Sequence, residues 1–156
     1  LCLPSCLDWP LSSAGSPADD HIPDAGKKVD CAAIVSVWES MEGMPYVWGG
    51  ESFKEGGFDC SGAVYHVQKK IGRPVPRTTS ARYFILAAGR EKHWKEGACG
   101  DWIWWTLQEQ RPYGHIGMHA RQPEVWQSGS STGPVDLRLF DGDYWDRRFV
   151  GSKSWE

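Results

Sequence analysis

Pro45-Tyr-Val-Trp-Gly-Gly-Glu-Ser-Phe-Lys-Glu-Gly-Gly-Phe-Asp-Cys-Ser-Gly62 is the stretch on which the fold turns. Gly56, Gly57 and Phe58 read as a turn, and Asp59 as a helix N-cap. From Cys60 to Ile71 an apolar face forms at Ala63, Val64, Val67 and Ile71, with Gly72 as the stop. Cys60 is thereby placed in the first turn of a helix. Unpaired backbone N–H groups and the positive end of the helix dipole there favour a thiolate, and the same N–H groups can hold a developing oxyanion. Taken alone, Asp59-Cys-Ser-Gly62 fits a small buried cysteine without chemistry equally well.

Upstream, Asp30 caps a second helix in which Ile34, Val37, Trp38 and Met41 share a face; it ends before Gly43 and Pro45 and is expected to pack beside the Cys60 helix. Downstream, Gly72-Arg-Pro-Val-Pro-Arg77 is extended, because each proline disfavours helix in the residue before it. Thr78 or Thr79 then caps a short helix running through Ala88, with Gly89 as its stop. Beyond Gly97-Ala-Cys-Gly100 the character changes. Trp102 to Leu107, His115 to Ala120, Glu124 to Gln127 and Val135 to Arg138 read as short strands, with a weaker signal near Phe149-Val150. Helices followed by an antiparallel sheet make an α+β domain. The Ser-, Pro-, Ala- and Asp-rich residues 1–29 read as an N-terminal arm or linker, leaving residues 30–156 as one domain.

Charge and composition exclude several functions. Lys and Arg number 17 against 20 Asp and Glu, a net charge of −3, and no basic run is long enough to track a phosphate backbone, so nucleic acid is not an expected partner. No stretch approaches the roughly 20 apolar residues of a transmembrane segment, and no complete signal peptide is present. Leu3-Pro-Ser-Cys6 looks like the end of a lipoprotein signal, which makes Cys6 a candidate lipid-bearing residue. Ten tryptophans accompany a charged fraction of 24%; most rings are expected in the core, with several left to line a groove for an amphipathic substrate. Five cysteines is an odd count. With Cys60 free, Cys2, Cys6, Cys31 and Cys99 allow three pairings that the sequence does not rank, or none at all.

The wider pattern gives Cys60 a role. Tyr46-Val-Trp-Gly-Gly50, Gly56-Gly-Phe-Asp-Cys-Ser-Gly62, Pro74-Val-Pro-Arg-Thr78, Gly100-Asp-Trp102 and His115-Ile-Gly117 closely resemble, in order and spacing, the NlpC-type family of papain-like cell-wall cysteine peptidases. The likeness runs from about Asp30 to Arg138. It implies a papain-like fold, with the nucleophile at a helix N-terminus and the helices packed on a small antiparallel sheet. It also implies thiol hydrolysis without a cofactor, action outside the cytoplasm, and bacterial peptidoglycan stem peptides as substrate. These are commonly cut between D-glutamate and the diamino acid.

A thiol hydrolase needs a base that takes the thiol proton and returns it to the leaving amine, and histidine suits both tasks near neutrality. Of five candidates, His21 falls in the arm, His93 in a charged loop, and His66 two turns along the Cys60 helix, out of reach of the thiol. His115 matches the family's base position; His119 shares its strand face but lies about 13 Å further on, at roughly 3.3 Å per residue. The family places a third polar residue on the next strand, and Gln127 stands there, twelve residues after His115. Its amide oxygen can accept the imidazole N–H but carries no charge, so a backbone carbonyl or His119 remains an alternative orienting group.

By resemblance Tyr46 shapes the substrate cleft. Trp48 is either a cleft wall or a core ring, and Arg77 either meets a substrate carboxylate or braces its loop. Asp59 and Ser61 are N-cap and first-turn residues that by resemblance also bind a free substrate amine. A zinc cluster of Cys60, His115 and Cys99 is the competing chemistry, but no zinc-ligand spacing supports it, and no metal is expected. Two rival roles stand: a secreted antibacterial amidase of the same chemistry, opposed by an immunity or inhibitor protein, and a non-catalytic wall-binding module. The pairing of Cys60 with His115 argues against the second.

Overall fold

The computed structural model describes residues 30–107, 112–129, 133–139 and 142–155. The arm, with Cys2, Cys6 and His21, lies outside the described residues.

Asp30 caps helix α1 (Cys31–Met41) by accepting the amides of Ala32 and Ala33, and the helix buries Ile34, Trp38 and Met41. Helix α2 (Cys60–Lys70) starts at Asp59, whose carboxylate accepts the Gly62 amide, and buries Ala63, Val64 and Val67. Between them the expected turn at Gly56 to Phe58 is part of a hairpin. Strand β1 (Glu51–Ser52) pairs antiparallel with β2 (Gly57–Phe58) around one 3₁₀ turn at Phe53–Glu55. The Phe58 amide also bonds the Pro45 carbonyl and its carbonyl accepts the Val47 amide, so the Tyr46 segment is sewn to the entry of α2.

Thr79 caps α3 (Ser80–Leu86), which ends two residues short of the expected Ala88. Gly89 is not its stop. A Cβ there would lie 2.3 Å from the Ser154 hydroxyl, so this glycine lets the chain approach the C-terminal segment.

Five strands follow: β3 (Trp102–Trp105), β4 (His115–His119), β5 (Glu124–Gly129), β6 (Gly133–Leu139) and, after a four-residue helix α4 (Asp143–Asp146), β7 (Phe149–Lys153). They form one antiparallel sheet in the order β6-β5-β4-β3-β7. The main core lies between its inner face and the helices: Trp102, Trp104, Ile116, Met118 and Trp126 meet Trp38, Val64 and Val67. Trp38 stacks on Trp126 and donates its indole N–H to the Met118 sulfur at 3.4 Å. Ile103, Trp105 and Val125 pack with Trp94 and the partly buried Trp145 in a smaller second cluster. Both faces of β3 are therefore covered, which is why its sequence, Trp-Ile-Trp-Trp, lacks a polar alternation.

Of the tryptophans described, Trp38, Trp94, Trp102, Trp104, Trp105 and Trp126 are buried, while Trp48 is 84% exposed. A disulfide joins Cys31, at the head of α1, to Cys99, just before β3.

Candidate active site

The β1–β2 hairpin and the Tyr46 segment carry the chain into α2 so that Cys60 occupies its first helical position. The thiol is 9% exposed at the floor of a cleft of about 540 Å³, walled by Tyr46, Trp48, Arg77, Thr79 and Tyr113. Burial pushes the Cys60 thiol up to about 11, and the neighbouring Asp59 charge adds to this; the amides of Ile116, Ser61 and Cys60 pull the other way. Burial thus works against the thiolate that the helix terminus favours. Desolvation outweighs the dipole and holds the proton on the Cys60 sulfur.

The Ile116 amide at the sulfur shows where the thiol sits: against the first residues of β4, one position from His115. His115 is 4% exposed, and burial drives its pKa down to about 4, with Gln127 and the Asp136 charge opposing. Its Nε2 lies 2.9 Å from Gln127 Oε1. Gln127 Nε2 in turn donates to Asp136 Oδ1 at 2.5 Å, and Arg138 Nε donates to Asp136 Oδ2 at 2.5 Å. Three strands, β4, β5 and β6, each contribute a link.

The other histidines are occupied elsewhere. His66 rests edge-on against Phe53 and Phe58, with Nδ1 3.1 Å from the Glu51 carbonyl. His93 is exposed and receives the Lys95 amide. His119 meets the Ser152 hydroxyl at 3.2 Å, so it does not orient His115.

Around the cleft, Asp59 and Arg77 are engaged with their surroundings. Asp59 Oδ1 accepts from the Gly62 amide and the Ser61 hydroxyl; Oδ2 accepts from the Gly49 amide and Arg77 Nη2. That fills the four lone-pair positions of a carboxylate. Arg77 donates from Nε to Glu51, from Nη1 to Ser61 Oγ and the Thr78 carbonyl, and from Nη2 to Asp59 and Gly49. All five guanidinium donors have an acceptor within the protein, so the arginine braces the loop. Tyr46 faces the thiol: burial first, then the Cys60 and Asp59 charges, pushes its phenol up to about 12.

Two residues of this region carry no local sequence signal. Tyr113, at φ 62 in the left-handed region, stacks on Phe84 at 4.1 Å and lines the same cleft as Tyr46. Asp136 comes to Gln127 only through the β5–β6 register. Cys99 is bonded to Cys31 and is not available to ligate beside Cys60. Among the described residues no group of three or more His, Cys, Asp or Glu side chains is placed to hold a metal ion.

A cysteine opening a helix packed on an antiparallel sheet, with its thiol at the start of a histidine-led strand, defines a papain-like α+β fold. The NlpC/P60 family profile matches residues 43–154. The chain belongs to the NlpC/P60 family. It is 30% identical over 151 residues to the murein DD-endopeptidase MepH of Escherichia coli, covering 95% of this chain and 54% of that protein. It is 33% identical over 110 residues to the bifunctional muramidase/DL-endopeptidase CwlT of Bacillus subtilis, covering 70% of this chain and 32% of that one. The chain therefore spans about half, or less, of the length of these relatives. Among solved structures it resembles a Staphylococcus aureus protein of the NLP/P60 family at TM-score 0.70 and 24% identity, over 85% of this chain and 44% of that one.

Proposed function

We propose that the domain, from residue 30 onward, is a thiol hydrolase that cleaves an amide bond in peptidoglycan stem peptides, with Cys60 as nucleophile, His115 as base and Gln127 as its orienting partner. The supporting observation is the Cys60 thiol on the cleft floor against the start of β4, one residue from an imidazole tied to Gln127. The Cys60 sulfur bonds to the carbonyl carbon while its proton passes to His115 Nδ1. The oxyanion is held by backbone N–H groups of the first turn of α2, and His115 protonates the departing amine. Water then hydrolyses the thioester, giving its proton to His115, and Cys60 is released as a thiol.

The names of the two relatives divide over the bond, one a DD-endopeptidase and one a DL-endopeptidase. The family resemblance favours the bond between D-glutamate and the diamino acid; the MepH likeness, extending over 95% of this chain, favours a DD bond as second reading. Tyr46 and Trp48 form the substrate wall, with Trp48 open to stack on an apolar or sugar face. Asp59 and Ser61 stand at the cleft beside Cys60, where a free substrate amine would meet them, while Arg77 holds Asp59 and Ser61 in place. Any immunity or inhibitor protein would act by filling this cleft. The Cys31–Cys99 disulfide supports action in an oxidising compartment outside the cytoplasm. Lipidation at Cys6 lies outside the described residues.

Digestion of purified sacculi, with mass spectrometry of the fragments, tests the reading. New termini at one stem-peptide bond, made by the wild type and absent with Cys60→Ala, name that bond. No release from several wall types overturns the proposal in favour of a binding module.

A further inference from the structure

Behind Gln127 stands a carboxylate that the thiol chemistry does not itself call for. In the β5–β6 register Gln127 is the direct partner of Asp136, so the two side chains share a sheet face. Their contact is the Gln127 Nε2 donation to Asp136 Oδ1 at 2.5 Å; Asp136 Oδ2 is held by Arg138 Nε, also at 2.5 Å.

We propose that Asp136 is a positioning residue that selects the tautomer of His115 through the amide of Gln127. This rests on the reading of His115 as the base. An ionised carboxylate only accepts hydrogen bonds, so the NH₂ end of the Gln127 amide must face Asp136 and the oxygen end must face His115. An amide oxygen also only accepts, so His115 Nε2 must carry the ring proton. The Nδ1 lone pair is then the free base. If the Gln127 amide turned over, its NH₂ would face Nε2, placing the lone pair there and the proton on Nδ1. That form cannot take a proton from a thiol at Nδ1. A glutamine has no intrinsic preference between the two orientations, and the donation to Asp136 imposes one. Arg138 adds to it by fixing the far oxygen of the carboxylate.

The least disruptive test is Asp136→Asn, which keeps shape. Arg138 still donates, so it draws the oxygen of the introduced amide to itself and turns the NH₂ toward Gln127. Gln127 must then present its oxygen to that NH₂ and its own NH₂ to His115. The expected result is inversion of the tautomer from Nε2–H to Nδ1–H. This is read from imidazole ¹⁵N shifts of ¹⁵N-histidine-labelled protein near pH 7.5, with His115→Gln identifying the resonance. Hydrolysis should fall at least about tenfold in kcat with KM little changed, a wrong tautomer being a loss of base rather than of binding.

Adding Gln127→Glu to Asp136→Asn should restore both the tautomer and most of the rate, because a carboxylate at 127 accepts from Nε2 whichever way it turns. The same Gln127→Glu change in the wild-type background sets two carboxylates face to face and should lower the rate. If His115 keeps Nε2–H in Asp136→Asn, or if the double variant is no better than the single one, Asp136 has no positioning role. The NMR readout needs no substrate. A wild type that hydrolyses no murein while its tautomer still inverts with Asp136→Asn would therefore sink the functional reading, not the tautomer control.

Discussion

Both members of the proposed catalytic pair are uncharged at neutral pH, the thiol held up near 11 and the imidazole down near 4, each mainly by burial. We therefore expect proton transfer to accompany attack on the substrate. The acid limb of kcat/KM should follow His115: as pH falls below about 4 the ring is already protonated, cannot accept the thiol proton, and activity drops. A limb near 6.5 would instead mean an imidazole that titrates as though solvated, against the buried geometry. Cys60→Ser should lose hydrolysis with the fold intact. Gln127→Ala should cost on the order of 10²-fold, since it frees the ring without removing the base. Both are read by turnover on isolated murein beside circular dichroism. The places of Cys60 and His115 were legible from motifs of fixed spacing, and that of Gln127 from counting twelve residues past His115 to the position the family resemblance implies. The neutral thiol was not, since it depends on how deeply Cys60 is buried, and Asp136 was not, since only the strand register brings it to Gln127.

Helix α2 can carry Cys60 into the cleft because Gly62 has no side chain. A Cβ at that position would lie 1.9 Å from the Gly50 carbonyl oxygen, which itself accepts the Asp59 amide at 2.9 Å. Gly62→Ala must push the first turn of α2 away from Gly50 and break the Asp59 bond. We expect a loss of about 1–3 kcal/mol, as for other overpacked sites, visible in the urea midpoint, together with a fall in kcat. Val67→Ala, further along the same helix, should lower stability through lost packing while leaving kcat intact. Equal kcat losses in the two variants would mean that activity tracks stability alone. The helices and strands themselves were readable from periodicity and proline placement, and the last weak strand signal at Phe149-Val150 is β7. What misled was glycine. Gly57 looked like part of a turn and Gly89 like a helix stop, whereas one is paired in a strand and the other lies against Ser154, partners that no local window contains.

Across the whole molecule, the Cys31–Cys99 bond ties α1 to the approach of β3 over a separation of 68 residues, a pairing the cysteine count alone left open. Cys31→Ser with Cys99→Ser should lower the unfolding free energy by about 2–4 kcal/mol without abolishing hydrolysis at 25 °C; no change would mean that the unfolded chain is already constrained there. Acid acts on the fold through a different pair. His115 and His119 are both held near 4 by burial, against an ordinary value of 6.5, with Asp101 and Lys92 acting in opposite directions on His119. Between pH 6.5 and 4 the unfolded chain binds protons at both rings while the folded one does not. Stability is therefore full above about 6.5 and declines as pH falls through that window, by up to about 1.4 kcal/mol per pH unit for each ring. Urea unfolding at pH 7, 6 and 5 should show this slope, and His119→Gln should remove about half of it. A flat profile over that range would mean that the folded protein takes up the protons, and the acid limb of hydrolysis would then have to move up with it.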